Sequence, residues 1–295
     1  KKRRRERRKV KPYLYLNTFL RHTIGSYFLS KFNVEAQNRN LVVKTKPPYL
    51  IMPNHVNNFD PILINSLVPT QIYFVTSDAT FRSPILKFVL NFVGAIPKTK
   101  AINDFDTIRT IMHIKKLNGV IGIFPEGYRS WDGHTMPLIY STAKLVKLLK
   151  IPVIVPILHG SFLTRGRWTR FARKGKIVIT FHYGLSPEDC KKLTVEEIFQ
   201  KLTELLEYDE SEYQKTAMVP FEGRRLAENL ERALFICPHC KKIGSMRSQR
   251  SLFYCINCHH TLKFNKYGFL EKHSESFYFQ TMHEWNEWQM QYLRA

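Results

Sequence analysis

Long apolar runs are missing from this chain. The longest, Phe88–Pro97 and Ile151–Leu158, stop at Lys87 and Lys98 and at Lys150 and His159. Both fall well short of the roughly 18–20 residues that span a bilayer, so any membrane contact is expected to be peripheral. Acidic residues are scarce: 24 Asp and Glu stand against 46 Lys and Arg, a net charge of +22. Such a surface prefers polyanions, which means nucleic acid, anionic lipid or phosphorylated substrates, without choosing among them. Low-complexity tracts and a glycine period are absent too. With 44% hydrophobic and 13% aromatic residues, a disordered or collagen-like chain is excluded. No secretory core follows the basic start, because Tyr13–Leu20 is short and broken by Asn17. The 295 residues leave room for one large or two medium domains with a sizeable core.

Cysteine is rare, five in all, but four fall in one window as Cys237-Pro-His-Cys240 and Cys255-Ile-Asn-Cys258. Two CxxC knuckles at this separation have zinc-ribbon spacing, since each tight turn aims two thiolates at one metal. Two disulfides are the competing account. Four thiolates would leave a zinc ion no open position, so the site reads as structural. Metal-bound thiolates imply a reducing compartment, which places the protein in the cytoplasm. His239, His259 and His260 beside the knuckles are alternative ligands, and Cys190 reads as a passenger at a helix start. Removing the metal is expected to loosen the C-terminal segment and leave any active site intact.

Residues 1–11 carry +8 of the net charge, and the remainder of the chain about +14. Leu16, Phe19, Leu20, Ile24, Tyr27 and Phe28 then recur at helical spacing. A basic tail joined to such a helix suits an interfacial membrane anchor, while an ordinary surface helix fits the same pattern. From about residue 41, strand candidates Tyr49–Met52, Ile72–Thr76, Val120–Phe124, Val153–Leu158 and Lys176–His182 alternate with helix candidates. The helices are Pro61–Leu67, Pro84–Phe92, Phe105–Leu117, Thr142–Leu149 and Val195–Glu207. This alternation argues for an α/β fold with a mostly parallel sheet flanked by helices. Four regions are expected: a basic tail and amphipathic helix (1–40), a catalytic domain (41–207), a helical connector (208–235), and a zinc ribbon with its tail (236–295).

Two segments carry chemistry. In Asn54–Asp60, His55 can accept a proton while the Asp60 carboxylate fixes its tautomer and stabilises the imidazolium. Five positions do not share one helix face, so a turn must bring the two together. Asp60 before Pro61 also fits a plain helix N-cap. In Phe124–Ser130, Pro125 stops a strand, Gly127 permits a sharp turn, and Glu126 and Arg129 project from a loop at the end of the sheet. There a guanidinium suits phosphate. A strand-ending turn with solvated charges is the plainer alternative.

Together these segments resemble the 1-acylglycerol-3-phosphate O-acyltransferases (lysophosphatidate acyltransferases). Asn54–Asp60 is similar to the family's NHxxxxD motif, and Phe124–Ser130 to FPEGTRS, with Tyr128 in the Thr position. Phe81–Lys100 resembles the middle motif, and Ile151–Pro156 the fourth, proline-bearing block. Members often place basic residues after the strand preceding the middle motif, where this chain reads Ser77-Asp78. The resemblance implies a thioester donor, acyl-CoA or acyl-carrier protein, and a membrane-resident lysophospholipid acceptor. It implies His55 as base, Asp60 as its orienting partner, and Glu126, Gly127 and Arg129 at the acceptor, helped by Arg82 or Lys100. Val153, Val155, Pro156 and the Phe88–Val93 face are either acyl-chain lining or plain core. Such an enzyme is expected to sit peripherally on the cytoplasmic face of the membrane, drawn by anionic lipid. Another acceptor, such as glycerol 3-phosphate, fits the same motifs. A zinc-ribbon nucleic-acid binder accounts for Lys241, Lys242, Arg247, Arg250, Phe253 and Tyr254, and leaves the ordered motifs unexplained.

Overall fold

The computed structural model describes residues 18–19, 21–77, 82, 90, 94–98, 105–273 and 276–295. A π-helical turn, Arg21–Gly25, runs into α1 (Ser26–Lys31), followed by β1 (Val34–Gln37), α2 (Asn40–Lys44), β2 (Leu50–Ile51) and α3 (Asp60–Leu67). Next come β3 (Ile72–Ser77), β4 (Ile96–Lys98), α4 (Phe105–Lys116), β5 (Val120–Gly122), α5 (Ser141–Leu149), β6 (Val153–His159), α6 (Ser161–Arg165) and β7 (Ile177–Leu185). The charge run at residues 1–11, Leu16, Leu20 and most of the expected helix Pro84–Phe92 lie outside the described residues.

These strands form one seven-stranded sheet in the order β1-β7-β6-β2-β5-β3-β4. Every neighbouring pair is parallel except β6 with β7. The fold is α/β, with a mostly parallel sheet flanked by helices, as the sequence pattern predicts. Central strands read as unbroken apolar runs because both faces are covered. Alternation along β6 divides them: Val153, Val155 and Ile157 pack toward α4, α5 and later helices, while Ile154 and Leu158 pack toward α3. Val153 and Val155 are thus fully buried core.

After β7 come α7 (Pro187–Lys192), α8 (Val195–Leu206) and α9 (Glu210–Ala217). Capping boxes at Ser186/Asp189 and Thr194/Glu197 start the first two. Ile198, Leu202 and Leu206 form the buried stripe of α8. Cys190 is buried within α7. Residues 208–235, expected as a helical connector, are α-helical only over α9. Beyond it Phe221, Leu226, Leu230 and Leu234 are buried.

The C-terminal sheet, β8 (Met246–Gln249), β9 (Leu252–Cys255), β10 (Thr261–Phe264) and β11 (Leu270–Lys272), is an antiparallel meander. The final helix, α10 (Met282–Arg294), opens with a Thr281/Glu284 capping box. Its Trp285 is fully buried. One core cluster joins Val56, Trp168 and the α6 residues Phe162 and Leu163, all in connections of the first sheet, to Cys237, Phe253, Cys255, Met282 and Trp285. The ribbon therefore shares a hydrophobic interior with the segment beside His55.

Candidate active site

The parallel strands deliver their connecting loops to one end of the sheet, where α/β folds gather ligand-binding groups. The loop after β2 is tied to β6: Asn54 Oδ1 accepts from the Leu158 amide at 2.9 Å. That tie holds the next residue, His55, over Phe124, with ring centroids 4.0 Å apart. His55 Nδ1 lies 3.1 Å from Asp60 Oδ2. The same oxygen accepts from the amides of Val56 (2.9 Å) and Asn57 (2.7 Å), and Oδ1 accepts from Ser161 Oγ (2.8 Å). Asp60 is fully buried, and each of these groups donates to it. An acceptor-only carboxylate assigns the proton to Nδ1 and leaves Nε2 as the free base. Asp60 is the first residue of α3 and its carboxylate turns back into the loop, so it does not cap the helix.

Glu126 departs from its expected placement. It is buried, and Oε1 accepts from the His55 amide at 2.6 Å while Oε2 accepts from the Met136 amide at 2.9 Å. Burial pushes its carboxyl up to about 8, against the pull of the two amides. Glu126 thus holds the backbone of the base. Gly127 turns with φ +71°, a left-handed conformation that favours glycine, and a Cβ there would also push on Ile139 Cδ1. The Ser130 amide returns to the His55 carbonyl at 2.9 Å, closing the two loops on each other.

Arg129 is half-buried. Burial first, then the Arg167 charge, lowers its guanidinium below the usual range; Asp60 opposes this and Arg165 adds to it. Arg165 lies over Phe59 (5.7 Å) and Arg167 over Trp131 (4.2 Å), one flanking each loop. Among the described residues, none of the three forms an ion pair with a carboxylate. Three guanidinium groups repelling one another beside the His55–Asp60 pair make a place that could take a phosphate. Arg82 is exposed, and Lys100 lies outside the described residues.

Residues 33–160 match the family model named Acyltransferase. That stretch, and not the ribbon, is similar to the acyltransferase family's domain. The chain's fold is similar to that of the crystal structure of PlsC, the 1-acyl-sn-glycerophosphate (LPA) acyltransferase from Thermotoga maritima. The TM-score is 0.56 at 17% identity, covering 65% of this chain and 77% of that one.

Sequence reasoning missed several residues around the acyltransferase motifs: Ser161, Arg165, Arg167 and Asp132. Ser161 and the arginines reach the site from α6 and the turn after it, about a hundred positions beyond His55. The Arg-Gly-Arg run at 165–167, seven residues past the expected strand Val153–Leu158, was the available signal.

The four ribbon cysteines come together away from this site. Their Sγ atoms all lie within 4.8 Å of one another, with Cys237–Cys258 at 3.6 Å and Cys240–Cys255 at 3.7 Å. Four thiolates around zinc at 2.3 Å have edges of about 3.8 Å, so the set could hold such an ion. All are free thiols, not disulfides. The Asn257 amide donates to Cys255 Sγ at 3.4 Å, a bond suited to a thiolate ligand. No histidine among the described residues joins the group. No helix among them is long and apolar enough to cross a membrane.

Proposed function

We propose that the chain is an O-acyltransferase that moves a fatty acyl group from acyl-CoA or acyl-carrier protein to the free hydroxyl of 1-acyl-glycerol-3-phosphate, giving phosphatidate. The reading is carried by the His55–Asp60 pair standing beside Arg129, Arg165 and Arg167, a base next to an unneutralised anion site. A thioester is already activated, so the acceptor hydroxyl itself can be the nucleophile. His55 Nε2 takes the hydroxyl proton as the oxygen bonds to the thioester carbonyl carbon, and Asp60 stabilises the resulting imidazolium. Collapse of the tetrahedral intermediate breaks the C–S bond, and the imidazolium returns its proton to the departing sulfur. The arginines hold the acceptor phosphate. Glu126 fixes the loop that presents His55.

Zinc is the ion we assign to the four cysteines, in a structural role, and their reduced state fits a cytoplasmic setting. A lysophospholipid is membrane-resident, and Phe19, Ile24 and Tyr27 are exposed on the N-terminal turn and α1. Phe28 of α1 packs on Phe59, next to Asp60, at 4.8 Å. This supports a peripheral footing on an anionic membrane beside the site.

The test is acyl transfer from palmitoyl- and oleoyl-CoA to lysophosphatidate, read by product mass spectrometry, with wild type beside His55→Ala. Phosphatidate that disappears in the variant is the expected result. No product from wild type with CoA or carrier-protein donors, on lysophosphatidate or glycerol 3-phosphate, would overturn the reading.

A further inference from the structure

Asp132 lies two residues beyond the loop serine Ser130, is buried, and has no part in the chemistry above. Its Oδ1 accepts from Ser130 Oγ and from the His134 amide, both at 3.1 Å. Its Oδ2 accepts from two side chains of α10: Asn286 Nδ2 at 2.7 Å and His283 Nδ1 at 3.2 Å. The His283 ring also stacks on His134, with centroids 4.1 Å apart. One carboxylate therefore joins the loop that holds His55 to a helix more than 150 positions away.

On the loop side the route to the base is short. Ser130 Oγ accepts from the Gly133 amide (2.9 Å), and the Ser130 amide donates to the His55 carbonyl (2.9 Å). On the other side, Gln289 Nε2 donates to both Asn286 Oδ1 (2.8 Å) and the Ala233 carbonyl (2.7 Å). Gln289 Oε1 accepts from the Phe235 amide (3.1 Å), and Trp285 Nε1 donates to the Ile236 carbonyl (3.0 Å), one residue before Cys237. These bonds form a continuous, partly buried path from Ile236, beside the first cysteine knuckle, to the backbone of His55. A surface clip would not need an ionised group at its centre. A buried carboxylate with four donors locks both partners, because leaving any one unpaired is costly.

We infer that Asp132 is a positioning residue for His55, and that His283 and Asn286 of the C-terminal helix hold it in place. The ribbon and its helix are then a working part of the catalytic site. The inference rests on the acyl-transfer reading. It departs from the sequence expectation that the two ends of the molecule are independent.

The experiment compares wild type, His55→Ala, Asp132→Asn, Asn286→Leu, His283→Leu and His283→Asn in full-length protein. It measures kcat and KM with palmitoyl-CoA and lysophosphatidate, with amide hydrogen exchange over residues 53–60, 125–136 and 153–159. Misplacing a base by a fraction of an ångström to an ångström costs up to about a hundredfold in rate. Asp132→Asn, Asn286→Leu and His283→Leu are expected to lower kcat roughly tenfold or more, with KM for lysophosphatidate little changed. Protection should fall in 53–60 and 125–136 and persist in 153–159. His283→Asn, which keeps a donor where Nδ1 sits, should recover most of that loss. Wild-type kcat in the variants, a rise in KM alone, or protection lost equally everywhere would overturn the inference while leaving acyl transfer standing. Absence of product from wild type would remove the acyl-transfer reading, and the inference with it.

Discussion

Ser161 is a small residue with a large share in the site. Fully buried, it gives its hydroxyl to Asp60 Oδ1, the side of the carboxylate that His55 does not use. Ser161→Ala would leave a buried charged oxygen short of a donor, which costs about 2 kcal/mol. Urea unfolding should register that loss, and kcat should fall with it as the orienting group loosens. Glu126 makes a sharper case, because its two oxygens serve two backbone amides. With its carboxyl pushed up to about 8, it is mostly protonated at neutral pH. Glu126→Gln keeps one acceptor but sets its amide nitrogen against the other backbone N–H, so it should lower kcat and stability less than full truncation, with KM for lysophosphatidate little changed. Glu126→Ala should destabilise by about 1–3 kcal/mol per abandoned amide. A steep rise in KM for lysophosphatidate in Glu126→Gln would instead put the carboxyl on the acceptor. His55 and Asp60 were legible in the sequence because one turn joins them. Ser161 was not, since only the pairing of β2 with β6 makes it their neighbour.

At the scale of elements, α10 is held by a pair that titrates. Hydrogen bonding to Asp132, more than its charge, raises His283 above its ordinary 6.5, while Glu287, Asp209 and the stacked His134 also face the ring. Bonds to His283, Asn286 and the His134 amide outweigh burial and hold Asp132 below its ordinary 3.8. The His283 contribution is complete below 6.5 and is lost as pH rises through the raised value. The Asp132 contribution is complete above 3.8 and is lost only in stronger acid. Docking of α10 should thus be firmest between about 4 and 6.5. The melting temperature should drop between pH 6 and pH 9, and less so in His283→Asn. The difference between the two curves isolates His283 from Glu126 and Glu210, whose raised carboxyls act in the same direction. Identical curves would detach His283 from the stability of the helix. The strands β2, β3, β5, β6 and β7 were readable as apolar runs. The edge strand β1, half exposed along its length, offered no such run. For α10 the Thr281–Glu284 capping box was a legible start signal. Its buried stripe of Met282, Trp285 and Gln289 was masked by the charged and polar residues between them.

Taken whole, the described residues form two sheets, and one of the core clusters joins the second sheet to the connections of the first. The knuckle spacing foretold that the four cysteines come together in a set that could hold a metal, but could not reveal what the ribbon leans on, because packing partners leave no local pattern. With Val56 in the same cluster as Cys237 and Cys255, metal loss cannot stay local. Chelation under reducing conditions should lower acyl transfer roughly tenfold or more. Amide protection should be lost first in 236–264 and then in 125–136, and zinc should restore both. Full activity in metal-free protein would separate the two ends of the molecule after all. The Asp132–Asn286 bond spans 154 positions, and on a ribosome sequence distance is time. His55 and Asp60 emerge long before α10 and can pair at once. The loop between them and Ser130 waits for α10, the last of these elements to be made. A nascent or truncated chain lacking α10 would therefore display both motifs without the His283 and Asn286 clamp on Asp132, and the proposed site would be complete only once that helix is made.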